Sequence, residues 1–162
     1  MSALPAEPTP RLAPRRLPNL FGRLTSILSD HQQLGRTLRG LVDLCNALDS
    51  GVERVPEKLN PGRMLGNLHA HLSRHFVAEE ADGHFGLMAR EQPELLPRVV
   101  ALKADHAAFL EEIARMLGLA ADIALWSELS EATRRLIARL EAHEQAEAEL
   151  VERFLSTAER PR

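Results

Sequence analysis

At 162 residues, with 20 Lys and Arg nearly balancing 23 Asp and Glu for a formal net charge of −3, the chain is long enough for one domain with a sizeable core and short for two. Basic and acidic residues are interspersed, which argues against a nucleic-acid partner, and no apolar run approaches the roughly 20 residues needed to cross a bilayer. Tyrosine is absent, aromatics make up 4%, and Leu, Ala, Glu and Arg dominate, a composition that favours helix over strand.

Residues 1–18 hold Pro5, Pro8, Pro10, Pro14 and Pro18 among Arg11, Arg15 and Arg16. Proline at that density neither continues a helix nor donates to a sheet, so an extended N-terminal tail is expected, followed by a helical domain over 19–158. The arginines are not followed by the continuous hydrophobic stretch of a secretory signal, and a cytoplasmic location is expected.

From about Leu20 to Leu48 the apolar positions Leu24, Ile27, Leu28, Leu34, Leu38, Leu41, Val42, Cys45 and Leu48 recur with a period near 3.6. His31 fills the gap in that stripe. Cys45, the single cysteine, falls among Val42, Leu44 and Leu48 and reads as a small buried hydrophobe. After a loop through Ser50 and Pro56, Asn60 is placed to cap a second helix that has Pro61 at its first position. That helix carries Met64, Leu65, Leu68, Leu72, His75 and Glu79 and is expected to continue towards Met88 through Gly83 and Gly86. Pro93 opens a third helix, with Leu96, Val99, Leu102, His106, Phe109, Ile113 and Met116 on one side. A fourth, from about Ser127 to Leu155, presents Leu129, Leu136, Leu140, His143, Glu147, Leu150 and Phe154. Four amphipathic helices with mostly short links predict an antiparallel four-helix bundle.

One spacing occurs twice: His75 with Glu79, and His143 with Glu147. Residues four apart share a helix face, so each pair projects an imidazole and a carboxylate side by side. A lone histidine on an apolar face is ordinarily a core residue bonded to a carbonyl. A lone glutamate there is harder to accommodate, because a buried carboxylate costs several kcal/mol unless it is paired or bound to a cation. No Lys or Arg lies on the same stripes. A metal would supply the charge, and mixed imidazole and carboxylate donors without thiolate suit iron, manganese or zinc and disfavour calcium. His31, His75, Glu79, His106, His143 and Glu147 are too many donors for one tetrahedral zinc, so two ions sharing the carboxylates fit better.

In these residues the chain resembles the hemerythrin-like HHE cation-binding domain: His31, then His75 and Glu79 within His-Phe-Val-Ala-Glu-Glu, then His106 within Lys-Ala-Asp-His-Ala-Ala-Phe-Leu, then His143 and Glu147. The resemblance covers about residues 20–155. It implies a four-helix bundle around a non-haem pair of iron ions, bridged by Glu79, Glu147 and an oxo or hydroxo group. The chain departs from the oxygen-carrying hemerythrins at Leu110, where those carriers have a second histidine four residues after the one at 106. It departs again at Glu147, where they place an aspartate at a different spacing. Leu110 is accordingly expected to line the open side of the metal pair.

Glu80 is a further candidate, as a ligand or as a solvated carboxylate beside one. His71, one turn before His75, is a candidate extra ligand or hydrogen-bonding neighbour, with partial exposure expected. His69 and His84 are expected to face away. The string His143-Glu144-Gln145-Ala146-Glu147 lacks the closing histidine of a zinc-protease motif, and the Glu-x-x-His of ferritin-like bundles does not occur.

The expected function is therefore binding or sensing of dioxygen, nitric oxide or iron at a two-iron centre, with zinc or manganese as possible occupants. The alternatives are an enzyme-like role in peroxide or nitric oxide removal or iron–sulfur repair, and a metal-free helical adaptor. No general acid or base stands out beyond the ligands, which weighs against an enzyme. No feature identifies a protein partner.

Overall fold

Alternation between apolar stripes and charged faces gives helices in the places where the periodicity runs unbroken. In a computed structural model the described backbone covers residues 17–51, 55–80 and 84–158, with side chains from residue 30 to 157. All regular structure among the described residues is helical: α1 (Leu17–Asp49), α2 (Pro61–Glu80), α3 (His84–Glu91), α4 (Leu96–Ala120) and α5 (Trp126–Ala158), with short 3-10 turns before α2, α4 and α5. The expected tail lies outside the described residues except for Leu17 and Pro18, which belong to α1. The side chains of Leu24, Ile27 and Leu28 lie outside them as well.

The helix ends follow from local chemistry. Gly51 adopts φ 70° just beyond α1, a conformation that costs glycine no Cβ clash. Asn60 caps α2 as its sequence position predicts, its Oδ1 accepting the Arg63 N–H at 2.9 Å. Asp122 accepts the Ala124 N–H at 2.9 Å in the turn that leads into α5.

The four long helices pack in a cycle, α1 against α2 and α5, and α4 against α2 and α5. Their inner faces form two apolar clusters. The larger contains Leu34, Leu41, Leu68, Phe109, Leu136 and Leu140 among others. The smaller joins Phe85 and Met88 of α3 to Leu95, Val99 and Leu102, and to Leu150 and Phe154. Burying each such side chain contributes about 1.5–3 kcal/mol. Along α4 the polar His106 separates the smaller cluster from the larger, and along α5 His143 and Glu147 separate the larger from the smaller. A polar layer thus divides the core.

Three expectations shift by a residue or a turn. Leu44 is fully buried and Val42 is 37% exposed, so Leu44 holds the inner position on α1. Leu95 likewise replaces the exposed Leu96, because a 3-10 turn over Pro93–Leu95 precedes α4 and rotates its start. The second helix does not run on to Met88: α2 ends at Glu80 and α3 begins at His84. Among the described residues no helix is long and apolar enough to cross a membrane.

Candidate metal centre

The polar layer is built from all the long helices. α2 contributes His75 and Glu79, whose i, i+4 relation puts His75 Nε2 2.9 Å from Glu79 Oε1. α1 adds His31, with Nε2 4.0 Å from Glu79 Oε1 and 3.4 Å from Glu147 Oε2. α4 adds His106, with Nε2 3.4 Å from Glu79 Oε2 and 3.2 Å from His143 Nε2 of α5. The six residues proposed from the sequence therefore converge. His75, His106, His143, Glu79 and Glu147 are each at most 4% exposed.

His84 corrects the sequence reading. Expected to face away, it is buried, with Nε2 2.6 Å from Glu147 Oε1. On an unbroken helix a residue five positions after Glu79 would point about 140° away from it. Because α3 is a separate helix, the phase restarts and His84 turns inward beside Phe85, whose ring meets it edge-on at 4.5 Å.

Carboxylates stand behind three of the rings, within hydrogen-bond distance of His106 and His143 and farther from His75. Glu80 Oε1 lies 2.7 Å from His106 Nδ1, Asp105 Oδ2 3.5 Å from His143 Nδ1, and Asp30 Oδ2 3.9 Å from His75 Nδ1. Each leaves Nε2 directed inward, which is how ligating histidines are commonly oriented. Glu80 thus takes a supporting place at the edge of the cluster, where Lys103 also reaches it at 4.0 Å. His71 stacks behind His75, ring centroids 6.1 Å apart, and faces neither Glu79 nor Glu147 within ion-pair distance. Phe76 lies flat on His106 at 3.8 Å and Phe109 meets His143 edge-on at 5.4 Å, fixing those rings by packing.

Neither Glu79 nor Glu147 pairs with lysine or arginine among the described residues; both face histidines. Burial works against their ionisation, but the imidazoles of His31 and His75 beside Glu79, and of His31 and His84 beside Glu147, hold both below the ordinary carboxylate range. Burial also disfavours protonated His31, yet Glu147, Glu79 and the charge of Glu144 push it up to about 10. His75 is raised as well, since Glu79 outweighs its burial. His143 goes the other way, lowered by burial and by the nearby His106.

The donor set fits metal ions. The Nε2 atoms of His31, His75 and His84 and all four carboxylate oxygens of Glu79 and Glu147 are buried without a hydrogen bond of good geometry. His31, His75, Glu79 and Glu147 offer donor atoms within 4.8 Å of one another, and so do His143, Glu144 and Glu147. The 3.2 Å between the Nε2 atoms of His106 and His143 is close to the edge of a coordination polyhedron with bonds of about 2.1 Å.

The cluster opens on one side. A groove of about 370 Å³ between α1 and α5 reaches His31 and Glu144, flanked by Leu34, Arg39 and Glu141. Glu144 Oε2 stands 3.3 Å from His31 Nε2; burial, opposed by His31 and reinforced by Glu147, pushes its carboxyl up to about 7. Leu110 is not part of this groove: it packs against the larger apolar cluster. The groove that reaches the cluster is therefore not the one expected at position 110.

Compared with known proteins, the chain matches no family model, no curated protein and no solved structure.

Proposed function

We propose that this chain is a hemerythrin-like antiparallel four-helix bundle that holds two divalent ions, iron foremost, and uses them to bind or sense a small ligand such as dioxygen or nitric oxide. The observation that carries the reading is the pose of the two carboxylates: Glu79 offers Oε1 to His75 and Oε2 to His106, and Glu147 offers Oε2 to His31 and Oε1 to His84. A carboxylate whose two oxygens face different imidazoles is arranged to span two ions. Iron held there would supply a redox-active centre able to accept a diatomic ligand.

The chain's own contribution is positional. Phe76, Phe85 and Phe109 wall the His106 and His143 side against water, while the groove beside His31 leaves a path for a small molecule. Metal analysis of anaerobically purified protein, with optical spectra before and after air, tests the reading. Two iron ions per chain and a new near-ultraviolet band on oxidation are expected. Fully folded protein that takes up no iron, zinc or manganese would refute it.

One observation favours the adaptor as the second reading. Against the effect of burial, Glu147 and Glu79 favour the protonated form of His31 and Glu79 that of His75, so protons can offset carboxylate charge in a metal-free core. The same metal analysis separates the two.

A further inference from the structure

Resting on the two-metal reading, we propose that His84 is a fifth histidine ligand, and that through it the short helix α3 is fastened to the metal pair.

Without it the donors divide evenly, two imidazoles and two carboxylate oxygens to each ion, and the buried His84 imidazole is left over. His31 and His75 serve one ion together with Glu79 Oε1 and Glu147 Oε2. On the other side stand His106, His143 and Glu79 Oε2, and Glu147 Oε1 faces His84. The His84 ring is buried, and its Nε2 points at the one carboxylate oxygen of the four that His31, His75 and His106 leave unaddressed. It therefore occupies the same position towards Glu147 Oε1 that His75 occupies towards Glu79 Oε1. An ion bound at Glu147 Oε1 would find His84 Nε2 only 2.6 Å from that oxygen.

The consequence lies in α3. Eight residues are too few for a helix to persist unaided, so α3 depends on what it docks against. Phe85 and Met88 pack into the smaller apolar cluster, and just beyond the helix the Gln92 side chain donates to the Phe154 carbonyl at 2.9 Å. His84 is the anchor at the opposite end. A metal bond there adds a tie that forms only when the second ion is present, so the order of α3 reports occupancy.

Zinc, being diamagnetic, allows a direct test on the full chain with ¹⁵N-labelled histidine. On titration with zinc alone, five imidazoles, His84 among them, should lose the Nε2 proton and take the shift of a metal-bound nitrogen. Amide exchange in α3 should slow by about tenfold or more in the wild type and not in His84→Ala, which should also bind the second zinc about tenfold or more weakly. If two zinc ions bind while His84 Nε2 keeps its proton, the proposal is overturned and the two-metal reading survives. If no zinc enters the cluster, and iron and manganese offered in its place do not either, both fall. The wild-type spectrum decides the matter even if His84→Ala does not fold.

Discussion

The two halves of the polar layer begin from the same four-residue spacing and end as different environments. Around His31 and His75 the site is charged and open: the His31 side chain is 21% exposed and Glu144, 18% exposed, stands beside it at the groove. Around His106 and His143 it is sealed, with side chains 3% and 1% exposed and phenylalanine rings against both. Spacing within a helix sets which side chains share a face. The neighbouring helices decide whether that face meets water or rings, and this opens one half to a groove and seals the other.

The largest effect should come from removing what joins the halves. Glu147→Ala takes from His84 the carboxylate it faces and leaves His31 only Glu144 and the more distant Glu79; it should release at least one metal equivalent and lower the stability of the metal-free protein by about 3–5 kcal/mol. Retention of two metals in the variant, by elemental analysis, would show that the halves do not share this residue. Next in size is Phe76→Ala on the sealed side. It removes the ring stacked on His106 and should cost about 3–5 kcal/mol in urea unfolding, whereas Arg39→Ala at the groove should change stability little.

The open half should dominate the pH response of the metal-free protein. Glu144, with its folded pKa raised to about 7 from 4.5, keeps a proton that the unfolded chain has lost, so stability falls as pH rises from about 4.5 to 7. His31, raised to about 10 from 6.5, contributes stability that is complete below 6.5 and lost as pH rises through 10. Thermal melts should therefore drift downward across that whole range, and Glu144→Gln should flatten the lower part. Metal affinity should move oppositely, because ligation displaces the histidine protons. A melt profile that rises between pH 5 and 9 would contradict both assignments.

The smallest effect concerns the outer carboxylates. Glu80→Gln, on the sealed side at 2.7 Å from His106, should weaken metal binding by about tenfold. Asp30→Asn, at 3.9 Å from His75 on the open side, should weaken it less. Calorimetric titration with zinc ranks the two, and the reverse order would mean that ring packing, not these carboxylates, orients the histidines.

What the sequence discloses about this comparison follows from what helical periodicity can encode. His75 with Glu79 and His143 with Glu147 are legible because each relation lies within one helix. His31 and His106 are legible because each fills a gap in an apolar stripe. His84 is not, since its direction depends on where α2 stops, and one uninterrupted phase carries it outward. Asp30 and Asp105 escape for another reason: each reaches a histidine on a different helix, and no spacing along the chain registers a contact across the bundle. The offset at Leu96 has a local cause of the same kind, a 3-10 turn before α4.

The single thiol offers a clock for the part of the molecule that the polar layer does not touch. Cys45 is fully buried, its Sγ 3.7 Å from the Ser130 carbonyl across the contact between α1 and α5. Burial also pushes the thiol up, which keeps it in its unreactive protonated form at neutral pH. A thiol reagent can therefore modify the folded protein only during excursions that part these two helices. The rate of that labelling counts such openings one molecule at a time, without any engineered probe. Comparing it in metal-free and metal-loaded protein measures how far a clasp formed in the polar layer tightens the distant end of the bundle.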